Sequence, residues 1–192
     1  MNKTARSYRS ILLVLMAALL VVPATMGLTH RGQRTDGPSG RLTVVGQVTV
    51  NGASAISGAT VFSDSTVTTA KGSSAVVSLG KLGRVEVHED STMKLSFTDS
   101  GIMVSMLEAG RVRVSSSPGI SATATTNDGE VVAKDPRKNV FTVDTSCGNT
   151  FVAVEKGRVE RRAGSTVKQI AAGSQDSAGT ATPGCTPSGG RH

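Results

Sequence analysis

Residues 107–114 of this chain, LEAGRVRV, decide the fold. A glycine ends a turn there, and arginine and valine alternate after it. Side chains of a β-strand point to opposite faces with a period of two, so Val112 and Val114 are predicted to face a core. Arg111 and Arg113 then face water. The stretch predicts a half-buried strand that is entered from a glycine turn.

The same phrase occurs twice more, as GRVEV at residues 83–87 and as GRVER at residues 157–161. The three glycines lie 27 and 47 residues apart, which is not the fixed period of a repeat array. A unit of turn plus half-buried strand is therefore repeated at irregular intervals. Irregular coils fit this pattern, and so do ordinary antiparallel strands that are each entered from a glycine turn.

The composition favours strands over helices. Aromatic residues make up only 3% of the chain, Trp is absent, and there are 22 glycines. Short segments rich in Val, Thr and Ser alternate with turn residues, among them Asn51-Gly52, a dipeptide typical of tight hairpins. We predict an all-β fold: a single domain of short antiparallel or coiled strands, either a twisted β-solenoid or sandwich-like, after an N-terminal apolar helix.

The first residues have the pattern of an export signal. Residues 1–10 are positively charged and residues 11–22 are uninterrupted apolar residues of signal-peptide length. Residues 1–28 are thus predicted to be a signal peptide. If they are not cleaved, residues 11–28 are just long enough to anchor the chain in the inner membrane and would be its only membrane contact.

Three further segments follow from composition. Residues 29–41 are a polar linker, residues 42–173 a β domain, and residues 174–192 a tail of Gly, Ser, Thr and Pro that is expected to be disordered. With the export signal, the β domain is predicted to be periplasmic or secreted. The alternative is a protein anchored in the inner membrane with its C-terminal domain in the periplasm.

The chain contains two cysteines, Cys147 and Cys185. Because an exported protein meets an oxidising environment, they are predicted to form one disulfide. Such a bond would contribute about 3 to 4 kcal/mol on a chain-entropy model. Two free thiols, or a bond between chains, remain open alternatives. Two isolated cysteines without a neighbouring histidine do not have the ligand spacing of a metal site, so no metal is predicted.

No pattern of an enzyme is present in the sequence. His88 is followed by Glu89 and Asp90, which is more typical of a polar turn than of a positioned catalytic base. There is no nucleophile elbow, paired-histidine zinc helix or phosphate-binding loop, so we predict neither catalysis nor a cofactor. Beyond residue 30 the chain has 18 basic and 14 acidic residues, scattered along the strands, so a nucleic-acid partner is not expected.

Several short motifs, taken in their order along the chain, resemble the FecR protein domain over about residues 45–175. The motifs are VTVNG (48–52), VTTAKGSSA (67–75), Leu79, GRVEV (83–87), LEAGRVRV (107–114), FTV (141–143), VAVEKGRV (152–159) and IAAG (170–173). The resemblance implies an all-β periplasmic domain, coiled as a twisted β-solenoid. In the ferric citrate regulator, for which the family is named, this domain relays a signal from an outer-membrane transporter to a cytoplasmic sigma factor.

Only residues 1–10 precede the apolar run, so the resemblance is to a stand-alone FecR-like periplasmic domain that lacks the cytoplasmic anti-sigma segment. We predict an exported, non-catalytic module of the cell envelope that binds a protein partner or an envelope polymer, with a role in signal sensing. If the repeated strands stack in register, the candidate binding face comprises Arg84, Arg111, Arg113 and Arg158. The alternative is a structural protein: an extracellular β-solenoid that self-associates through exposed strand edges. The oligomeric state is left open.

Overall fold

The computed structural model describes residues 38–133 and 135–185. The predicted export signal and its apolar helix, most of the linker and the last residues of the tail lie outside the described residues. Within the described ranges no helix is long and apolar enough to cross a membrane. The strands are β1 (Ser39–Val45), β2 (Val48–Val50), β3 (Ala53–Ser54), β4 (Thr60–Phe62), β5 (Ser65–Thr69), β6 (Ser74–Ser78), β7 (Gly83–Val87), β8 (Ser91–Phe97), β9 (Gly101–Met106), β10 (Arg111–Ser116), β11 (Ser121–Thr126), β12 (Gly129–Ala133), β13 (Asn139–Asp144), β14 (Thr150–Lys156), β15 (Arg158–Ala163), β16 (Thr166–Ala171) and β17 (Gln175–Ala178).

The strands form two sheets. The eight-stranded sheet has the order β4-β1-β6-β7-β10-β13-β14-β17, and the nine-stranded sheet has the order β3-β2-β5-β8-β9-β11-β12-β15-β16. The chain passes between the two sheets after every one or two strands. Neighbouring strands are antiparallel except for β9 and β11, which are parallel. The all-β prediction is confirmed, and both sheets contribute to one core in a sandwich-like arrangement.

The core consists mainly of the inward-facing residues of these strands. Val112 and Val114 of β10 are fully buried, and so are Val85 of β7 and Val159 of β15. They belong to one hydrophobic cluster, in which Phe141 is the largest fully buried side chain. The repeated glycine phrase therefore forms half-buried strands at all three of its positions, as the alternation predicts.

The glycine of the repeated phrase is needed because a neighbouring strand lies against it. Gly110 has a φ of 149°, and a Cβ added there would lie 2.5 Å from the Cα of Ser91. Gly83 has a φ of 129°, and its Cβ would collide with the backbone carbonyl of Ser115. A side chain at either position is excluded both by the backbone conformation and by the adjacent backbone. The phrase thus marks places where the chain enters a strand in close contact with its neighbour.

The hairpin predicted at Asn51-Gly52 is confirmed. Strands β2 and β3 pair with Val50 opposite Ala53, so the turn contains two residues. Both have positive φ, 52° for Asn51 and 79° for Gly52. Two left-handed residues are what a type I′ turn requires, and this turn matches the twist of the flanking strands.

Regular structure extends beyond the predicted domain limits at both ends. The first strand begins at Ser39, inside the predicted linker, and β17 lies inside the segment 174–192 that was predicted to be disordered. β17 is ordered by partners instead of by apolar burial: it pairs with β14, and its Asp176 contacts Arg161 and Lys168. Beyond it, the predicted disulfide joins Cys147 to Cys185. The prediction of a disordered tail therefore does not hold for residues 174–185.

Candidate functional site

The candidate arginines lie on two different sheets. Arg84 is on β7, and Arg111 and Arg113 are on the adjacent β10, all on the outward side of the eight-stranded sheet. Arg158 is on β15, which belongs to the nine-stranded sheet. The strands of the repeated phrase therefore do not stack in one register. The prediction of a single face with all four arginines is wrong, because Arg158 lies on the other sheet. We call the outward surface around Arg84, Arg111 and Arg113 the arginine face.

Arg113 lies at the centre of the arginine face and binds two carboxylates. Its Nε and Nη2 donate to the two carboxylate oxygens of Glu155 at 2.6 and 2.7 Å, and its Nη1 donates to Glu86 at 2.9 Å. The hydrogen bonds to Glu155 raise the pKa of Arg113 above its ordinary value, with a smaller contribution from Glu86 that acts against partial burial. The side chain is 24% exposed and is held in a single forked geometry.

The other two arginines of the face also contact carboxylates. Arg84 Nε lies 2.9 Å from the oxygen of Glu86 that Arg113 also uses. Arg111 Nε lies 3.2 Å from Asp144, a carboxylate that is only 1% exposed and that also accepts a hydrogen bond from the backbone N–H of Ser146. The arginine face is therefore balanced in charge, because the arginines of β10 lie between Glu86 of β7 on one side and Asp144 of β13 and Glu155 of β14 on the other.

This arrangement limits what the face can recognise. A polyanion binds where basic side chains are free to neutralise it, and here each arginine already contacts a carboxylate. Thr142 and Ala153 lie in register beside Arg113. Because both side chains are short, the surface beside Arg113 does not protrude beyond the charged residues. Fixed charges around small side chains favour a protein surface of complementary charge pattern over an anionic polymer.

Arg158 lies in a crevice on the other sheet. The crevice has a volume of about 540 Å³ and is lined by Asp135, Pro136, Arg137, Arg158, Glu160 and Gln169. Arg137 binds Asp135 through Nε at 3.0 Å and Nη2 at 2.8 Å. Hydrogen bonds from the side chain and backbone of Arg137 lower the pKa of Asp135 to about 2. Arg158 therefore belongs to a local charged cluster that is separate from the arginine face.

His88 is joined to its surroundings through its backbone. Its N–H donates to the carbonyl of Arg111, and its own carbonyl accepts from the hydroxyl of Thr69. Burial lowers the pKa of His88, and the nearby charge of Arg111 lowers it further.

In the described part of the chain, no group of three or more His, Cys, Asp or Glu side chains is placed to hold a metal ion.

One buried charged group was not predicted from the sequence. Arg161 of β15 is 6% exposed and occupies an inward position, two residues after the core residue Val159. Its Nε lies 2.6 Å from Asp176 of β17, so the ion pair joins the edge strand of the eight-stranded sheet to β15, the strand next to the edge of the nine-stranded sheet. The sequence signal was available, because a charged residue at the inward position of an alternating strand requires a buried partner.

Comparison with known proteins adds a distant structural similarity. No family model matches the chain, and no curated protein matches it. The crystal structure of a candidate anti-sigma factor from Parabacteroides distasonis ATCC 8503 is similar, with 20% sequence identity and a TM-score of 0.47. The similarity covers 57% of this chain and 52% of that one, so the chain spans about half the length of the solved structure.

Proposed function

We propose that this chain is a non-catalytic, FecR-like binding module of the cell envelope, and that it recognises a protein partner through the arginine face. The observation that carries the proposal is the network at Arg113, which holds Glu86 and Glu155 from two other strands of the same sheet. Interfaces are enriched in arginines, and those that are already fixed lose less conformational entropy when a partner binds. The order of sequence motifs supports the FecR-like assignment and the place in the envelope.

Position-specific photocrosslinking in the native host tests this proposal. A benzoyl-phenylalanine is placed at Thr142 in the arginine face or, as a matched control, at Thr123, a half-buried outward threonine of the nine-stranded sheet. We expect one discrete crosslinked protein from Thr142 and none from Thr123. The same product from both positions, or from neither, would refute the proposed face.

A charge reversal then tests the role of the arginines. Arg84 is 54% exposed, so Arg84→Glu is expected to leave stability within about 0.5 kcal/mol. It should reduce the yield of the Thr142 crosslink about tenfold, because one reversed charge in an interface costs more than 1 kcal/mol. Arg158→Glu, on the other sheet, is the control and should leave the yield unchanged. Equal effects of the two reversals would mean that the arginine face is only a solvated surface.

A second candidate function, self-association, is favoured by the outer edge of the nine-stranded sheet. β16 is an edge strand of six residues in which only Ile170 is buried, and Val167 is 60% exposed. The opposite edge of that sheet ends in β3, which has two residues. A long edge strand with free backbone groups can pair with the same strand of a second copy.

Light scattering over a range of concentrations separates the two candidates. If β16 pairs between copies, the measured mass rises with concentration and Val167→Lys keeps the protein monomeric. Thr43→Lys, which adds the same charge to the inner strand β1, should not change the association. A mass that stays at one chain at every concentration supports the binding module and excludes self-association through β16.

A further inference from the structure

The exposed apolar side chains of the domain are concentrated in one short stretch of the chain. Within the described ranges, six large apolar residues are at least half exposed, and three of them are Val45, Ile56 and Phe62. Ile56 is 76% exposed and Phe62 is 53% exposed. Single exposed apolar residues are common on protein surfaces, whereas several together mark a surface that contacts something apolar.

These residues surround one side of the sandwich. β3 is the outermost strand of the nine-stranded sheet and β4 is the outermost strand of the eight-stranded sheet, so the connection between them crosses from one sheet to the other. We call residues 53–62, with the neighbouring β1, the N-terminal edge. Two backbone hydrogen bonds fix the crossing, from Ala55 N–H to the carbonyl of Val48 at 2.9 Å and from Gly58 N–H to the carbonyl of Leu42 at 2.8 Å. An ordered segment therefore presents the apolar side chains.

The N-terminal edge has no negative charge. Residues 38–63 contain no Asp or Glu, and the first acidic residue after them is Asp64. Arg41 of β1 lies in this stretch, is exposed, and forms no ion pair with the described residues. The arginines of the arginine face, by contrast, each contact a carboxylate. The N-terminal edge thus combines exposed apolar groups with a cation that no carboxylate neutralises.

The sequence before β1 indicates which surface is within reach of this edge. Residues 11–28 are the apolar run that is long enough to anchor the chain, and the ten residues 29–38 separate it from Ser39. Ten residues extend over at most about 35 Å, so an anchored chain keeps the start of β1 within this distance of the bilayer. Ser39 pairs with Phe62, so the chain enters the domain beside the exposed aromatic ring.

We propose that the N-terminal edge lies on the lipid surface of the membrane, with its exposed apolar side chains in the headgroup region and Arg41 beside anionic phosphates. This contact is additional to the predicted anchor, residues 11–28. Interfacial binding depends on buried apolar area and on the attraction of basic side chains to anionic lipids. A second copy is a poorer occupant, because β3 and β4 have only two and three residues for strand pairing. The proposal rests on the proposed place in the envelope but not on the arginine face, which lies on other strands.

Fluorescence of single tryptophans tests this contact, because the chain has no Trp of its own. Phe62→Trp is compared with Val167→Trp, a 60% exposed position on β16 at the opposite edge of the nine-stranded sheet. The full chain is reconstituted in vesicles of phosphatidylglycerol and phosphatidylcholine whose acyl chains carry bromine. We expect bromine to quench the emission from position 62 and not the emission from position 167. Quenching at both positions, or at neither, would overturn the proposal.

Further changes in the Phe62→Trp protein assign the docking to the N-terminal edge. Ile56→Ser removes apolar contact and should weaken docking about tenfold. Leu107→Ser, at a 50% exposed position outside this edge, is the matched control and should leave the quenching unchanged. Arg41→Gln should weaken docking about fivefold on anionic vesicles and not on vesicles of phosphatidylcholine alone. Equal losses in Ile56→Ser and Leu107→Ser would contradict the assignment.

A last measurement separates the lipid surface from a second copy as the occupant. In detergent without vesicles, the emission wavelength of Phe62→Trp should be the same at every protein concentration. A blue shift that grows with concentration would show pairing between copies and would overturn the lipid assignment. The Thr142 crosslink reports only the arginine face, so a failure of the proposed function is distinguishable from a failure of the membrane contact.

Discussion

Replacing Asp176 by alanine is expected to lower the free energy of unfolding by about 3 to 5 kcal/mol at neutral pH. The reason is the buried Arg161, whose Nε lies 2.6 Å from Asp176 and which would be left as an uncompensated charge between the sheets. Lys168 would lose its contact with the same carboxylate, also at 2.6 Å. Urea denaturation followed by circular dichroism measures the loss.

Two comparisons make this result specific to the buried pair. Asp99→Ala removes an exposed carboxylate that lies 3.9 Å from Lys81, and should change stability by less than about 0.5 kcal/mol. The double replacement Arg161→Met with Asp176→Leu should recover much of the stability, because no charge is then left buried. A loss of less than about 1 kcal/mol in Asp176→Ala would contradict the account of this ion pair.

The same carboxylate gives stability a defined pH dependence. Burial alone would raise the pKa of Asp176, but hydrogen bonds from Lys168 and Arg161 outweigh it and hold this pKa below its ordinary value. In the unfolded chain the carboxyl group takes up its proton at a higher pH. Its contribution is therefore complete above the ordinary pKa and is lost as the pH falls through the lowered pKa of the folded state. Asp176→Ala should flatten the acid side of the stability curve.

Removal of the disulfide is expected to lower the free energy of unfolding by about 3 to 4 kcal/mol. Cys147 and Cys185 are 38 residues apart in sequence, so the bond removes many conformations from the unfolded chain. Unfolding should be compared with and without a phosphine reductant. The variant with both cysteines changed to alanine should match the reduced protein and should not respond to the reductant. A reductant effect that persists in that variant would contradict this prediction.

The strands could be predicted from the sequence because their signals are local. Valine alternation after Gly83 and Gly110, and the pair Asn51-Gly52, involve only neighbours in sequence, and the structure confirms both. β17 was missed because its residues have little apolar surface. Its order depends on pairing with β14 and on the contacts of Asp176, which come from distant parts of the chain.

The candidate sites depend on which strands become neighbours, and alternation does not contain that information. Arg84 and Arg113 share a face because β7 pairs with β10, while Arg158 follows β15 into the other sheet. The carboxylates that neutralise the arginine face come from strands up to 42 residues away, as Glu155 does for Arg113.

The strand order has a consequence for how the chain folds. From β5 onward, each sheet adds strands in the order in which they occur in the chain. Each new hairpin therefore docks on one that precedes it closely, and the entropy of closing long loops is kept small. Folding can then advance as a front from the N-terminal side, much as in an elongated repeat protein, and the buried ion pair with the disulfide would be the last contacts to form.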